Sequence, residues 1–200
     1  MDLGVKLNIE RISGLIHLLA ERVPKLYFTK LLKLLYIIDE IAVKETGVPV
    51  TWLKYRVWKR GPVAKYVFDE IKFYDGENLK DKIRIEGNEY GLVLISIKKF
   101  ENSEFSKYEI DLFDRVISEY GNKTSEELAE YTHKKGGLWN KVVQERKLEE
   151  KFSDEDNTSP FSIDFTELIK NEPLKFMAYE SAKEALYLQA ELRDLKEVQF

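Results

Sequence analysis

Residues 31–42 read LLKLLYIIDEIA, with apolar side chains at Leu31, Leu32, Leu34, Leu35, Tyr36, Ile37, Ile38, Ile41 and Ala42. A helix that is apolar on nearly every side has to be enclosed by other elements. This segment is therefore expected at the centre of the fold. Thr29 stands where it can cap the start, and Gly47 where the chain can turn left-handed after the last turn. The continuation changes character. Residues 52–65 carry Lys54, Arg56, Lys59, Arg60 and Lys65 interleaved with Trp52, Tyr55 and Trp58, and no carboxylate. That half reads as a surface.

The rest of the chain has to supply what covers the central helix. Residues 8–22 place Ile9, Ile12, Leu15, Ile16 and Leu19 at the three-and-four spacing of an amphipathic helix, with Asn8 as its cap and Pro24 closing it. Residues 53–59 alternate in strand fashion, Leu53, Tyr55 and Val57 on one side and Lys54, Arg56 and Trp58 on the other. Pro62 suits the first turn of a helix over 63–73. Residues 82–100 form two β-branched runs around Gly87-Asn88, a hairpin pattern with Gly91 as a site for a bulge. With 53–59 this predicts an antiparallel sheet of about three strands.

Ser106 with Glu109, and Thr124 with Glu127, are capping boxes that open two further helices. Gly136-Gly137 precedes a charged helix over 138–150, and 153–160 reads as a flexible loop. Pro173 begins a helix of about 25 residues with Ala178, Ala185, Leu188, Leu192 and Leu195 on one face, expected to pack on the body. The fold class is α+β: a predominantly α-helical domain with a small antiparallel sheet and a long C-terminal helix.

Composition narrows the function. The chain of 200 residues is 44% hydrophobic and 12% aromatic, as folded chains are, with a formal net charge of −4. That balance argues against a protein that coats nucleic acid, although a local basic patch remains compatible with it. The chain has no cysteine, which excludes disulfides and thiolate metal sites. No secretory signal and no membrane span is evident, so a cytoplasmic protein is expected. His17 and His133 stand alone, without the convergent ligands of a metal site or a nucleophile to serve. No phosphate-binding glycine loop is present. Neither a cofactor nor an enzymatic activity is indicated. The run 52–65 stays open between three readings: half core and half solvated strand face, a protein-binding surface, or a nucleic-acid surface in which rings stack and cations hold phosphates.

Three blocks carry a resemblance. KLLKLLYIID at 30–39, WKRGPV at 58–63 and ELAEYTHKKGGLW at 127–139 occur in the order seen in the Panacea domain family, also called the SocA-like antitoxin or phage-associated GepA-like family. The matching positions are Lys33, Leu34, Leu35 and Tyr36, then Gly61, Pro62 and Val63 after Trp58, and finally Leu128, Thr132, His133 and Trp139. The hairpin at 82–100 and the last sixty residues depart from the pattern. The resemblance implies a Panacea domain over 1–150, followed by an acidic loop and C-terminal helical extension over 151–200 packed on the same domain. It implies an antitoxin of a toxin–antitoxin system, with a place in phage defence, that neutralises a protein toxin by direct binding. The toxin is usually encoded in the adjacent gene. Motif residues then serve as scaffold, and the candidates for toxin contact are Trp52, Tyr55, Arg56, Trp58, Lys59, Arg60 and Lys65, with the C-terminal helix second. Promoter DNA and a second copy of the chain are further candidate partners. A DNA- or RNA-binding regulator, and an adaptor that delivers a bound protein to a protease, are the alternatives in other functional classes.

Overall fold

A computed structural model describes residues 7–102, 104–153 and 155–197, with side-chain surroundings through 192. The central helix, α2 (Phe28–Thr46), follows α1 (Ile9–Arg22) and has fourteen of its nineteen residues buried. It packs against three other helices, a 3-10 turn and one strand of each of two small sheets, so the expected enclosure is what the chain forms. Asn8 caps α1 by accepting from the Arg11 amide at 3.1 Å. At the start of α2 the cap position is Tyr27, with no side-chain hydrogen bond. Thr29 lies inside the first turn, because Leu26 and Tyr27 are held extended alongside the β-hairpin described below.

The strands do not form one three-stranded sheet. β1 (Tyr55–Trp58) pairs antiparallel with β2 (Gly61–Ala64), in the register Trp58 opposite Gly61 and Val57 opposite Pro62. Lys59 and Arg60 are the two-residue turn. Gly61 has φ of +105°, which makes this reversal possible immediately after Trp58. Pro62 consequently lies in a strand, not in a helical turn, and α3 (Lys65–Phe73) starts two residues later than expected. The alternation holds: Leu53, Tyr55 and Val57 are buried, Lys54 is exposed, and Arg56 and Trp58 are half-buried.

β3 (Ile83–Asn88) and β4 (Gly91–Ser96) make a separate hairpin whose turn is Glu89-Tyr90, two residues beyond the Gly87-Asn88 position expected. Its β4 edge meets the link before α2, where the Leu94 amide donates to the Leu26 carbonyl at 2.9 Å. The two hairpins stay apart because the free edge of β1 is taken by residues 157–163. The Lys59, Val57 and Ile163 amides donate to Asn157, Phe161 and Tyr55 carbonyls at 2.8–2.9 Å. The segment 153–160, read from its polar composition as a flexible loop, is thus partly a docked edge strand; Asp154 falls outside the described residues.

Both capping boxes are present, at the starts of α4 (Lys107–Tyr120) and α5 (Ser125–His133). α6 (Leu138–Glu145) is shorter than its charge pattern suggested. After a 3-10 turn at Phe165–Leu168 the chain ends in α7 (Pro173–Glu197). The face that α7 turns inward is not the expected one. Tyr179, Ala182 and Leu186 are partly buried, whereas Leu188 and Leu192 are 62% and 59% exposed. Leu195 falls outside the described side chains.

The fold is α+β and mostly helical, as expected. One joint fixes the start of α7. Gly47, at φ of +85°, lies so close to α7 that a Cβ there would stand 2.3 Å from the Lys175 carbonyl oxygen. Gly47→Ala combines left-handed strain with a backbone clash. It is expected to destabilise the chain by about 2 kcal/mol or more, read as a lower urea midpoint. An unchanged midpoint would contradict this packing.

Candidate functional site

The three sequence blocks come from α2, from the β1–β2 hairpin, and from α5 with α6, and the fold brings them to one place. Lys33 projects from α2 into the interior, 1% exposed, and its ammonium donates to the Pro62 carbonyl at 3.2 Å. His133, from the last turn of α5, lies across Gly61 from it. A Cβ on Gly61 would stand 2.7 Å from the Lys33 Nζ and 3.0 Å from the His133 Nε2. Its φ of +105° strains any other residue here, and a Cβ would also force the Lys33 ammonium to shift. The imidazole stacks on Trp139 of α6, with ring centroids 3.7 Å apart and planes 10° from parallel. The Trp139 indole N–H donates to the Trp58 carbonyl at 3.0 Å, which ties α6 back to the hairpin. Leu34, Leu35, Tyr36, Val63, Leu128 and Thr132 are buried around this cluster.

Two titrations follow from this burial. Lys33 is surrounded by apolar atoms and a single carbonyl partner, and loss of hydration lowers its pKa from 10.5 to about 7. His133 is lowered from 6.5 to about 4, first by its own burial and then by the neighbouring charge of Lys33. Its Nε2 is buried without a hydrogen-bond partner among the described residues. Seven residues on from Lys33, Glu40 is 1% exposed, and its Oε1 pairs with Lys44 at 2.9 Å.

Asp39 forms a second buried centre on α2, and sequence reasoning did not single it out. Its Oδ1 accepts from the Val50 and Thr51 amides at 2.8 and 2.9 Å, and its Oδ2 from the Thr51 hydroxyl and, at 2.8 Å, from the Tyr55 phenol. Burial raises its pKa against the pull of these four bonds. The signal was available: a carboxylate in a helix apolar all round is buried by necessity, and must find donors in the segment that returns past it. Those bonds fix 50–55 and hold Trp52 at φ of +57°, a costly conformation for a bulky residue.

The basic and aromatic run is thereby divided. Trp52 packs on Tyr179 of α7, with centroids 5.0 Å apart, and Tyr55 is interior, 1% exposed. Arg56 is half-buried and donates to the Ser162 hydroxyl at 3.1 Å and to the Pro160 carbonyl. Trp58 is half-buried against Phe68, 4.8 Å between centroids, and Lys59 is half-buried at the turn. Arg60 and Lys65 are exposed, Lys65 in an ion pair with Asp69. Phe68 also meets Phe28 at 5.6 Å and the exposed Phe73 at 6.2 Å, extending the aromatic surface onto α3. No sequence spacing announced that extension, since it depends on how α3 leaves the hairpin. Among the described residues no three His, Cys, Asp or Glu side chains are grouped to hold a metal ion.

The sign of the Lys33 effect is testable. Between pH 7 and 10.5 the unfolded chain holds a proton on this lysine that the folded chain has released, so stability rises with pH through that window and is level below it. His133 acts in the same direction between pH 4 and 6.5. At 1.36 kcal/mol per pH unit, Lys33 contributes a rise of about 4 kcal/mol from pH 7 to 10. Lys33→Met should remove that rise in urea unfolding. Parallel pH profiles for the variant and the natural chain would contradict the assignment.

Comparison with known proteins places this geometry. No curated protein and no solved structure matches the chain. The family model described as antitoxin SocA-like, Panacea domain, matches residues 31–140, from the second turn of α2 to the first turn of α6, and so takes in the Lys33, Gly61, His133 and Trp139 cluster. With more than half its length in that match, the chain belongs to the SocA-like antitoxin family of Panacea domains.

Proposed function

We propose that this protein is a cytoplasmic antitoxin that neutralises a protein toxin by direct binding and performs no chemistry of its own. The observation that carries the reading is where the family residues sit. Lys33, Gly61, Pro62 and Trp139 are buried, and their partners are one another or the backbone beside them. Such a cluster sets the angle between α2, the β1–β2 hairpin and α6. It supports a scaffolding duty, and neutralisation requires of a scaffold only that it present a surface able to cover the toxin's active site or hold it inactive. Among the described residues no helix is long and apolar enough to cross a membrane.

The exposed remainder of the basic and aromatic run is the first surface for that partner. Arg60 at the hairpin turn and the half-exposed faces of Arg56 and Trp58 are of the residue types that dominate binding hot spots, and Lys59 and Lys65 add positive charge beside them. Tyr55 and Trp52 contribute indirectly, by fixing the strand and α7.

Co-expression with the product of the adjacent reading frame tests the reading. Growth is expected to be arrested by that product alone and restored when this chain is made with it. Arrest that persists with both proteins present would overturn the proposal. Arg60→Glu, at an exposed turn, is expected to weaken binding of that product about tenfold while leaving the urea midpoint unchanged. Undiminished binding would remove the hairpin turn from the contact.

A further inference from the structure

α7 presents an apolar ridge that none of the described residues covers. One side of the helix rests on the body: Lys175 donates to the Lys44 carbonyl, the start of the helix lies against Gly47, Tyr179 packs on Trp52, and Ala182 and Leu186 line a cavity with Asn8, Arg11 and Val50. On the outside, Leu174, Met177, Leu188 and Leu192 are 82%, 65%, 62% and 59% exposed. With Ser181 and Ala185 between them, these positions step by three and four and so form a single line, roughly 27 Å long at the helical rise. Eleven large apolar side chains are exposed among the described residues, and five of them, including Phe176, are on this helix. Single exposed apolar residues are ordinary, but a concentration on one face marks an interaction surface.

The charges beside the ridge select its occupant. Glu184 and Glu191 are exposed along it, while Lys175 reaches the Lys44 carbonyl and Lys183 is half-buried. Two copies of the ridge laid together would set carboxylates against carboxylates, on chains that each carry a net charge of −4. A groove rimmed by lysine or arginine meets both the apolar line and its acidic flank. The ridge also lies beyond residues 31–140, so it can change without disturbing the buried cluster.

We propose that the outer face of α7 is a second docking element beside the hairpin turn, inserted as an amphipathic helix into an apolar groove on the toxin whose rim is basic. This inference rests on the reading of the protein as an antitoxin. Leu174, Met177, Leu188 and Leu192 are the anchors, and Glu184 and Glu191 meet the rim.

The test uses the full chain, with the product of the adjacent reading frame as probe. The pair Leu188→Asp and Leu192→Asp is expected to lower affinity at least 100-fold and to abolish growth rescue. Because both positions are exposed, the urea midpoint should not move. The pair Glu184→Lys and Glu191→Lys is expected to lower affinity at least tenfold, with the difference shrinking as salt is raised. Unchanged affinity and rescue in both pairs would overturn the inference while leaving the antitoxin reading standing. A natural chain that sediments as a dimer, is made monomeric by the aspartate pair and keeps its affinity for the probe would also overturn it, giving the ridge to a second copy. Failure of the natural chain to rescue growth would remove the antitoxin reading, and this inference with it.

Discussion

Burial of α2 governs how the other elements are placed. A helix enclosed along most of its surface cannot leave its buried polar side chains to water, and several of them find partners in the elements that pack against it. Lys33 finds the carbonyl of Pro62, and Asp39 the donors of 50–55. Lys30 reaches the Gly121 carbonyl just past the end of α4, where a cation also suits the helix dipole. Each bond fixes one neighbour in register. The apolar contacts supply most of the cohesion, and these few polar ones determine how the surrounding elements are arranged.

This division explains why Lys33, Gly61, Pro62 and Trp139 lie inside the fold. The imidazole of His133, the indole of Trp139 and the amine of Lys33 are groups that elsewhere recognise ligands or move protons. Here they fill the space between three elements, and Gly61 is small so that they can meet. Burying a lysine beside a histidine is costly, which the lowered pKa of each expresses. In return the hairpin is held at one position on α2. The surfaces left for a partner lie at the periphery: the turn at Arg60, the aromatic edge through Phe68 and Phe73, and the outer side of α7.

Much of this was legible in the sequence. Apolar density alone located α2, and the paired Ser106–Glu109 and Thr124–Glu127 positions located two helix starts, because those signals are local. The structure has two separate hairpins where the sequence predicts one sheet, because Pro62 suits both a helical first turn and a strand edge. The left-handed Gly61 and the docking of 157–163 onto β1 decided between them. The inner face of α7 was assigned wrongly for a related reason. A line of Ala and Leu at helical spacing ordinarily faces a core, and only the contacts of Tyr179 and Lys175 with the body show which side is in use. The convergence of Lys33 and His133, a hundred residues apart, had no local signal beyond the family pattern.

On the proposed reading, an enclosed scaffold around α2 carries its binding surfaces at the periphery. Hydrogen exchange of the chain, free and bound to the adjacent frame's product, tests it most directly. The account expects amides of α2 and β2 to exchange slowly in both states, with new protection concentrated on α7 and the β1–β2 turn. Fast exchange in α2 of the free chain, or protection that appears at the Lys33, Gly61 and His133 cluster while α7 stays unchanged, would contradict it.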